Sequence, residues 1–280
     1  MIRIFRGRAS FALLIAIAAT TAGHAQSPDP GQADPEQAIR LLRDEIAANP
    51  DRLELVLSLG NQAVRAGQFD LAISSFQRIL ERIEPESAGT GDLYLRLGET
   101  YRRQGSVEPA IQALTHARHL MPGNPVVLGT LAMVLDGAGQ KAEAEGAYRA
   151  ALQVDGDNAI TMNNLAFLIC ENGGNLDEAL SLARRAVQLM PDASEMADTA
   201  GWIQLKRNAV DDALAFFAAA LAQEPDNTGY RSHLLQALST MPEMTPALEE
   251  IAAQLQSGPT QATLVQLPEL LKAAVPSPFR

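Results

Sequence analysis

The sequence predicts an all-α fold, a solenoid of antiparallel helix pairs, and three observations carry that prediction. The pattern Leu97-Gly98…Tyr101…Ala110…Leu114…Ala117…Pro122 recurs at a period of about 34 residues across most of the 280-residue chain. Each period reads as a helix pair that cannot bury its apolar face alone, so neighbouring pairs must stack. Cys170 is the only cysteine, which excludes an internal disulfide and leaves repeat stacking to supply the stability.

The chain begins with a segment outside this pattern. Arg3, Arg6 and Arg8 precede an apolar run from about Ala9 to Ala19, then Gly23-His24-Ala25. A basic start, a short apolar stretch and small residues at a cleavage position read as a secretory signal peptide over 1–25, cut after Ala25. The apolar run is short for a membrane span, although retention as an N-terminal anchor stays open. No cysteine lies near the cleavage position, which argues against a lipid anchor. The expected address is periplasmic or secreted, and residues 26–34 read as a flexible lead.

Asp34-Pro35-Glu36 then starts a helix, with an acidic cap and proline in the first turn. Its stripe of Ala38, Leu42 and Ile46 stops near Asn49-Pro50, so 35–50 reads as a single N-terminal helix covering the first full repeat. Five repeats follow at 53–86, 91–124, 125–158, 159–193 and 194–227. The fourth has one added residue near Gly173-Gly174, and Ser87 to Thr90 read as a four-residue spacer between the first two. Residues 228–257 read as a degenerate sixth pair, with Leu234, Leu235 and Leu238 on one helix and Leu248 and Ile251 on the next. Residues 260–280 read as a capping helix and tail, with a kink or break expected at Pro268. Such a cap covers apolar surface that a terminal repeat would otherwise expose.

At these positions the chain resembles the tetratricopeptide repeat family, in the manner of exported bacterial members. The resemblance covers 53–227, with small residues at the eighth and twentieth places and a proline near the thirty-second. Two departures are visible: Tyr94 is the only large aromatic at the fourth place, and Gly156 stands where a terminal proline is usual. The resemblance implies a right-handed superhelix whose first helices line a concave groove through their second, fifth, ninth and twelfth places. These include Asp92, Leu95, Glu99 and Arg102 in the second repeat, then Val126, Gly129, Met133 and Asp136 in the third. The fourth supplies Ile160, Asn163, Phe167 and Cys170, and the fifth Glu195, Asp198, Trp202 and Leu205. The ninth place thus holds Met133, Phe167 and Trp202 in successive repeats. The predicted partner-binding set is Met133, Asn163, Phe167, Asp198, Trp202, Glu99 and Arg102. Either these aromatics are exposed in the groove, or superhelical twist buries them against neighbouring helices; the sequence alone leaves both readings open.

Composition narrows the partner. Removal of the three signal arginines leaves 19 basic and 33 acidic residues, a net charge of −14. An acidic chain is poorly suited to nucleic acid or an anionic membrane, and would suit a protein partner with basic patches. Self-association through exposed ends or the C-terminal helix stays open. The lysine and asparagine clamp that chaperone-binding members use for a C-terminal carboxylate is missing, since the fifth places are Leu57, Leu95, Gly129, Asn163 and Asp198.

No nucleophile elbow, phosphate-binding loop, dinucleotide fingerprint or His-Glu-x-x-His stretch occurs. His116 and His119 lie three apart on a predicted second helix, a spacing that reads as a solvated face rather than a metal site. Gly89-x-Gly91 reads as a turn in the spacer. The expectation is a non-enzymatic scaffold without cofactor or metal, an adaptor of the bacterial cell envelope. The alternative is a carbohydrate-associated scaffold for exopolysaccharide or pilus assembly. Asn163-Asn164-Leu165-Ala166-Phe167 and Ala197-Asp198-Thr199-Ala200-Gly201-Trp202 resemble repeats found in such exported proteins.

Overall fold

A computed structural model describes residues 34–83, 87–241, 244–258, 267 and 269–271. The segment read as a signal peptide, the lead as far as residue 33, Pro268 and most of the expected C-terminal capping segment lie outside the described residues. The chain divides into two compact units, Met1–Gln140 and Lys141–Arg280.

The first unit holds α1 (Pro35–Ala48), α2 (Leu53–Arg65), α3 (Phe69–Leu80), α4 (Ala88–Gln104), α5 (Val107–Leu120) and α6 (Pro125–Gly137). Local sequence sets the helix starts. The Asp34 side chain accepts from the Glu36 N–H at 3.2 Å, and Asn124 accepts from the N–H groups of Val126 and Val127. Each helix packs on the next, and α4 also touches α6. Ile39 and Ile46 of α1 join Val56, Leu59, Phe76 and Ile79 in one buried cluster.

The small residues of the repeat have a direct steric meaning. A Cβ on Gly98 would lie 2.4 Å from Cγ of Leu114, so α4 and α5 could not approach as closely with any other residue there. Ala72 and Ala110, at the twentieth place, are completely buried between paired helices.

One expectation is corrected here. Ser87 to Thr90 do not form a spacer loop, and Gly89-x-Gly91 is not a turn, because α4 begins at Ala88 and runs through both glycines. Ser87 caps the helix by accepting the Thr90 N–H at 3.2 Å, and Thr90 is itself buried. The cap and the burial extend the helix backwards into the extra residues.

The second unit holds α7 (Lys141–Val154), α8 (Ala159–Glu171), α9 (Leu176–Leu189), α10 (Ser194–Lys206), α11 (Val210–Gln223), α12 (Thr228–Ser239) and α13 (Pro246–Ser257). Again each helix packs on its successor, while α10 touches both α8 and α12. The first helices of successive pairs therefore share one layer, which leaves their other face open. Leu267 and Leu271 are buried in the same cluster as Leu248, Ile251 and Leu255.

The fifteenth place of each repeat turns the chain between paired helices. Gly105 sits there at φ 85° and Asn208 at φ 61°, and each is followed by a backbone bond that closes the helix end: Ser106 N–H to Tyr101 at 2.9 Å, Ala209 N–H to Gln204 at 2.9 Å. Glycine and asparagine are the residues that tolerate this left-handed conformation. Among the described residues no helix is long and apolar enough to cross a membrane.

Candidate functional site

The open face of the first unit is a cleft of about 740 Å³ along α2, α4 and α6. It brings together three residues of the predicted binding set, Glu99, Arg102 and Met133. Met133 is 40% exposed, and Val126, about two turns before it on the same helix, is 60% exposed. Both are large apolar side chains left in water, whereas the packing positions around them (Val127, Leu131 and Ala132) are buried. Arg102 and Glu99 form an ion pair at 2.5 Å within α4, which raises the Arg102 guanidinium above its usual range. Half-exposed pairs of this kind add about 0–1 kcal/mol to stability, so this one serves mainly to orient the two groups.

The other four predicted residues lie in the second unit. Phe167 projects from α8 and is 44% exposed, with Ile160 also exposed on the same helix. Asn163, one turn before Phe167, is only 8% exposed, and its Oδ1 is buried without a hydrogen-bond partner. Buried amide oxygens are nearly always paired, so this one stands out among the inner-helix side chains.

Trp202 and Asp198 are held differently. Trp202 is half-buried; its indole N–H donates to Glu171 at 2.7 Å, and Lys206 Nζ lies 4.8 Å from the ring centre. The imidazole of His233 lies between Trp202 and Phe217, with centroid distances of 5.1 and 5.6 Å. Its Nδ1 is 2.8 Å from Asp198 Oδ1. Of the three ninth-place residues, Met133 and Phe167 are therefore freely presented, while Trp202 is braced by neighbours from α8 and α12. Cys170 is buried, and that burial pushes its thiol above the usual range.

Burial also pushes the Asp198 carboxyl up, and the His233 hydrogen bond opposes that rise without cancelling it. The folded chain then binds this proton more readily than the unfolded chain. The contribution to stability is present in full below the ordinary carboxylate range and is lost as pH rises through the raised value. Asp198→Asn keeps an acceptor for His233 and removes the titration. Melting temperatures compared at about pH 4 and about pH 7 should show the native chain gaining on the variant at the lower pH. A pH-independent difference would refute the burial-driven shift.

Several residues that shape these faces were not singled out by sequence reasoning. Arg65, Arg96 and Thr130 line the first unit's cleft, and Glu171, Lys206 and His233 surround Trp202. His116 stacks on Tyr94 with centroids 5.0 Å apart. Among the described residues no group of three or more histidine, cysteine or acidic side chains is placed to hold a metal ion.

Known proteins resemble this chain over most of its length. Residues 16–266 match the family model described as Cilia and flagella-associated protein 70 C-terminal domain. TPR repeat-containing protein PA4667 of Pseudomonas aeruginosa is 25% identical over 183 residues, which are 65% of this chain and 30% of that protein. Cellulose synthase operon protein C of Xanthomonas axonopodis pv. citri is 32% identical over 156 residues, 51% of this chain and 10% of the relative. The chain thus spans less than a third of the length of either relative. Among solved structures, YrrB, "a TPR protein with an unusual peptide-binding site", superposes with a TM-score of 0.57 at 18% identity, covering 72% of this chain and 99% of that one.

Proposed function

Because the chain belongs to the tetratricopeptide-repeat family, through the model that matches residues 16–266, we propose that it is a non-catalytic adaptor that docks a segment of a partner protein on its first helices. One observation carries the reading. At the inner places of those helices, large apolar side chains (Val126 and Met133 in one unit, Ile160 and Phe167 in the other) stay exposed while Val127, Leu131, Ala132, Leu165 and Ala166 beside them are buried. Within each unit, a pair of exposed apolar side chains on one helix face marks an interaction site rather than a fold requirement.

The proposed setting is the bacterial cell envelope. The N-terminal segment up to Ala25 has the features of a signal peptide, and PA4667 and the cellulose synthase operon protein are bacterial. Met133 is the anchor proposed in the first unit and Phe167 in the second, where Asn163 lies beside it and Trp202 and Asp198 form a braced border.

The test is affinity capture from an envelope fraction, comparing the native chain with Phe167→Ser and Met133→Ser. Both side chains are exposed, so melting temperatures should stay within about 1–2 °C. A protein retained by the native chain and lost with either variant is the expected result. Equal recovery by all three would sink the docking assignment.

A second reading, a scaffold associated with polysaccharide, is favoured by the 32% identity to the cellulose synthase operon protein and by the exposed ring of Phe167. Retention on immobilised glucan that is lost with Phe167→Ser would select it.

A further inference from the structure

The whole chain is acidic, with 22 basic and 33 acidic residues, yet the cleft of the first unit is not. Its walls carry Arg65, Arg96 and Arg102 against Asp92 and Glu99. Arg102 is already paired with Glu99. Arg96 gives one N–H to Asn61 Oδ1 at 3.1 Å and makes no ion pair among the described residues. Arg65, in the last turn of α2, is exposed and likewise has no ion pair among them. Two guanidinium groups thus face the cleft without an ion pair, opposed by the single carboxylate of Asp92, so the cleft keeps a net positive charge.

We propose that this cleft docks an acidic segment of a partner protein, whose carboxylates are taken by Arg65 and Arg96 and whose apolar side chain rests on Val126 and Met133. The proposal rests on the docking reading above and adds the chemistry of the occupant. Guanidinium offers a planar fork of donors that matches a carboxylate and does not lose its charge at any physiological pH. Distant acidic residues of the chain oppose such a partner only weakly, because charges more than about 8 Å apart are screened at physiological salt. The local field in the cleft therefore decides the sign of the partner, and it opposes the basic partner that total charge suggests.

The test uses the full chain and a displayed library of random twelve-residue peptides. Enriched peptides should place aspartate or glutamate on either side of an apolar residue. A synthetic copy should bind in a salt-sensitive manner and lose about tenfold or more in affinity with Arg65→Glu/Arg96→Glu, while Arg65→Lys/Arg96→Lys keeps part of it. Both side chains are exposed, and circular dichroism should verify that the variants fold. Basic or uncharged peptides that are lost only with Met133→Ser would overturn the acidic occupant and leave the docking face standing. Absence of enrichment, or peptides indifferent to both sets of variants, would overturn the two together.

Discussion

Leu114→Ala is expected to lower unfolding free energy by about 2–5 kcal/mol, the range for truncating a fully buried leucine. Leu114 is 0% exposed and lies directly beneath Gly98, where a Cβ would approach its Cγ to 2.4 Å. Gly98→Ala should in turn destabilise by about 1–3 kcal/mol through overpacking, although alanine is the better helix former by about 1 kcal/mol. The two substitutions are complementary. Once Leu114 is alanine, the obstruction is gone, and Gly98→Ala should become neutral or stabilising. Urea unfolding of the four chains, followed by helical circular dichroism, would reveal a coupling well above about 0.5 kcal/mol, the limit of additivity for independent sites. Additive losses would mean that the small residue at the eighth place is not there for close approach.

Asn163→Leu is expected to act in the opposite direction on stability and to weaken function. The native amide oxygen is buried and unpaired, a situation that costs about 1–3 kcal/mol, and an apolar group of similar branching removes the cost. A gain of about 1 kcal/mol would raise the melting temperature by roughly 2–4 °C in a chain of this size class. The same change alters the side chain one turn before Phe167, so on the docking reading capture of the partner should fall. A lower melting temperature would show that the amide is already satisfied in the free chain. Unchanged capture together with higher stability would remove Asn163 from the docking face.

The two outcomes describe a familiar exchange between fold and site. A polar group kept dry without a partner costs stability, and departures of that kind concentrate at functional sites.

Much of the helical framework was legible in the residues themselves. Gly98 opposite Leu114, buried Ala72 and Ala110, and the cap at Asp34 all follow from spacings within one repeat. The left-handed fifteenth place was legible too, as Gly67, Gly105, Gly139 and Gly173 at near-constant intervals with Asn208 in the same role, although the repeat motif can be recognised without it. Ser87 to Thr90 were misread because an extra segment in a repeat array suggests a loop, whereas a serine cap and a buried threonine continue the helix.

The candidate faces were legible only as positions. Numbering within the repeat pointed to Met133, Phe167 and Trp202 alike, but it could not separate two presented side chains from one braced by Glu171, Lys206 and His233. It likewise marked Asn163 without indicating that its oxygen has no donor, and total charge concealed the arginines around the first unit's cleft.

The division has a physical cause. Helix length, caps, turns and the apolar stripe depend on residues three or four apart, so the sequence by itself determined an all-α array of paired helices and the side of each helix that packs. Which groups meet across that open side depends on residues one repeat apart, 35 positions for both His233 and Asp198 and Arg96 and Asn61. Only tertiary packing brings those together, and it alone decided which inner side chains are braced, which are buried without a partner and which stand exposed.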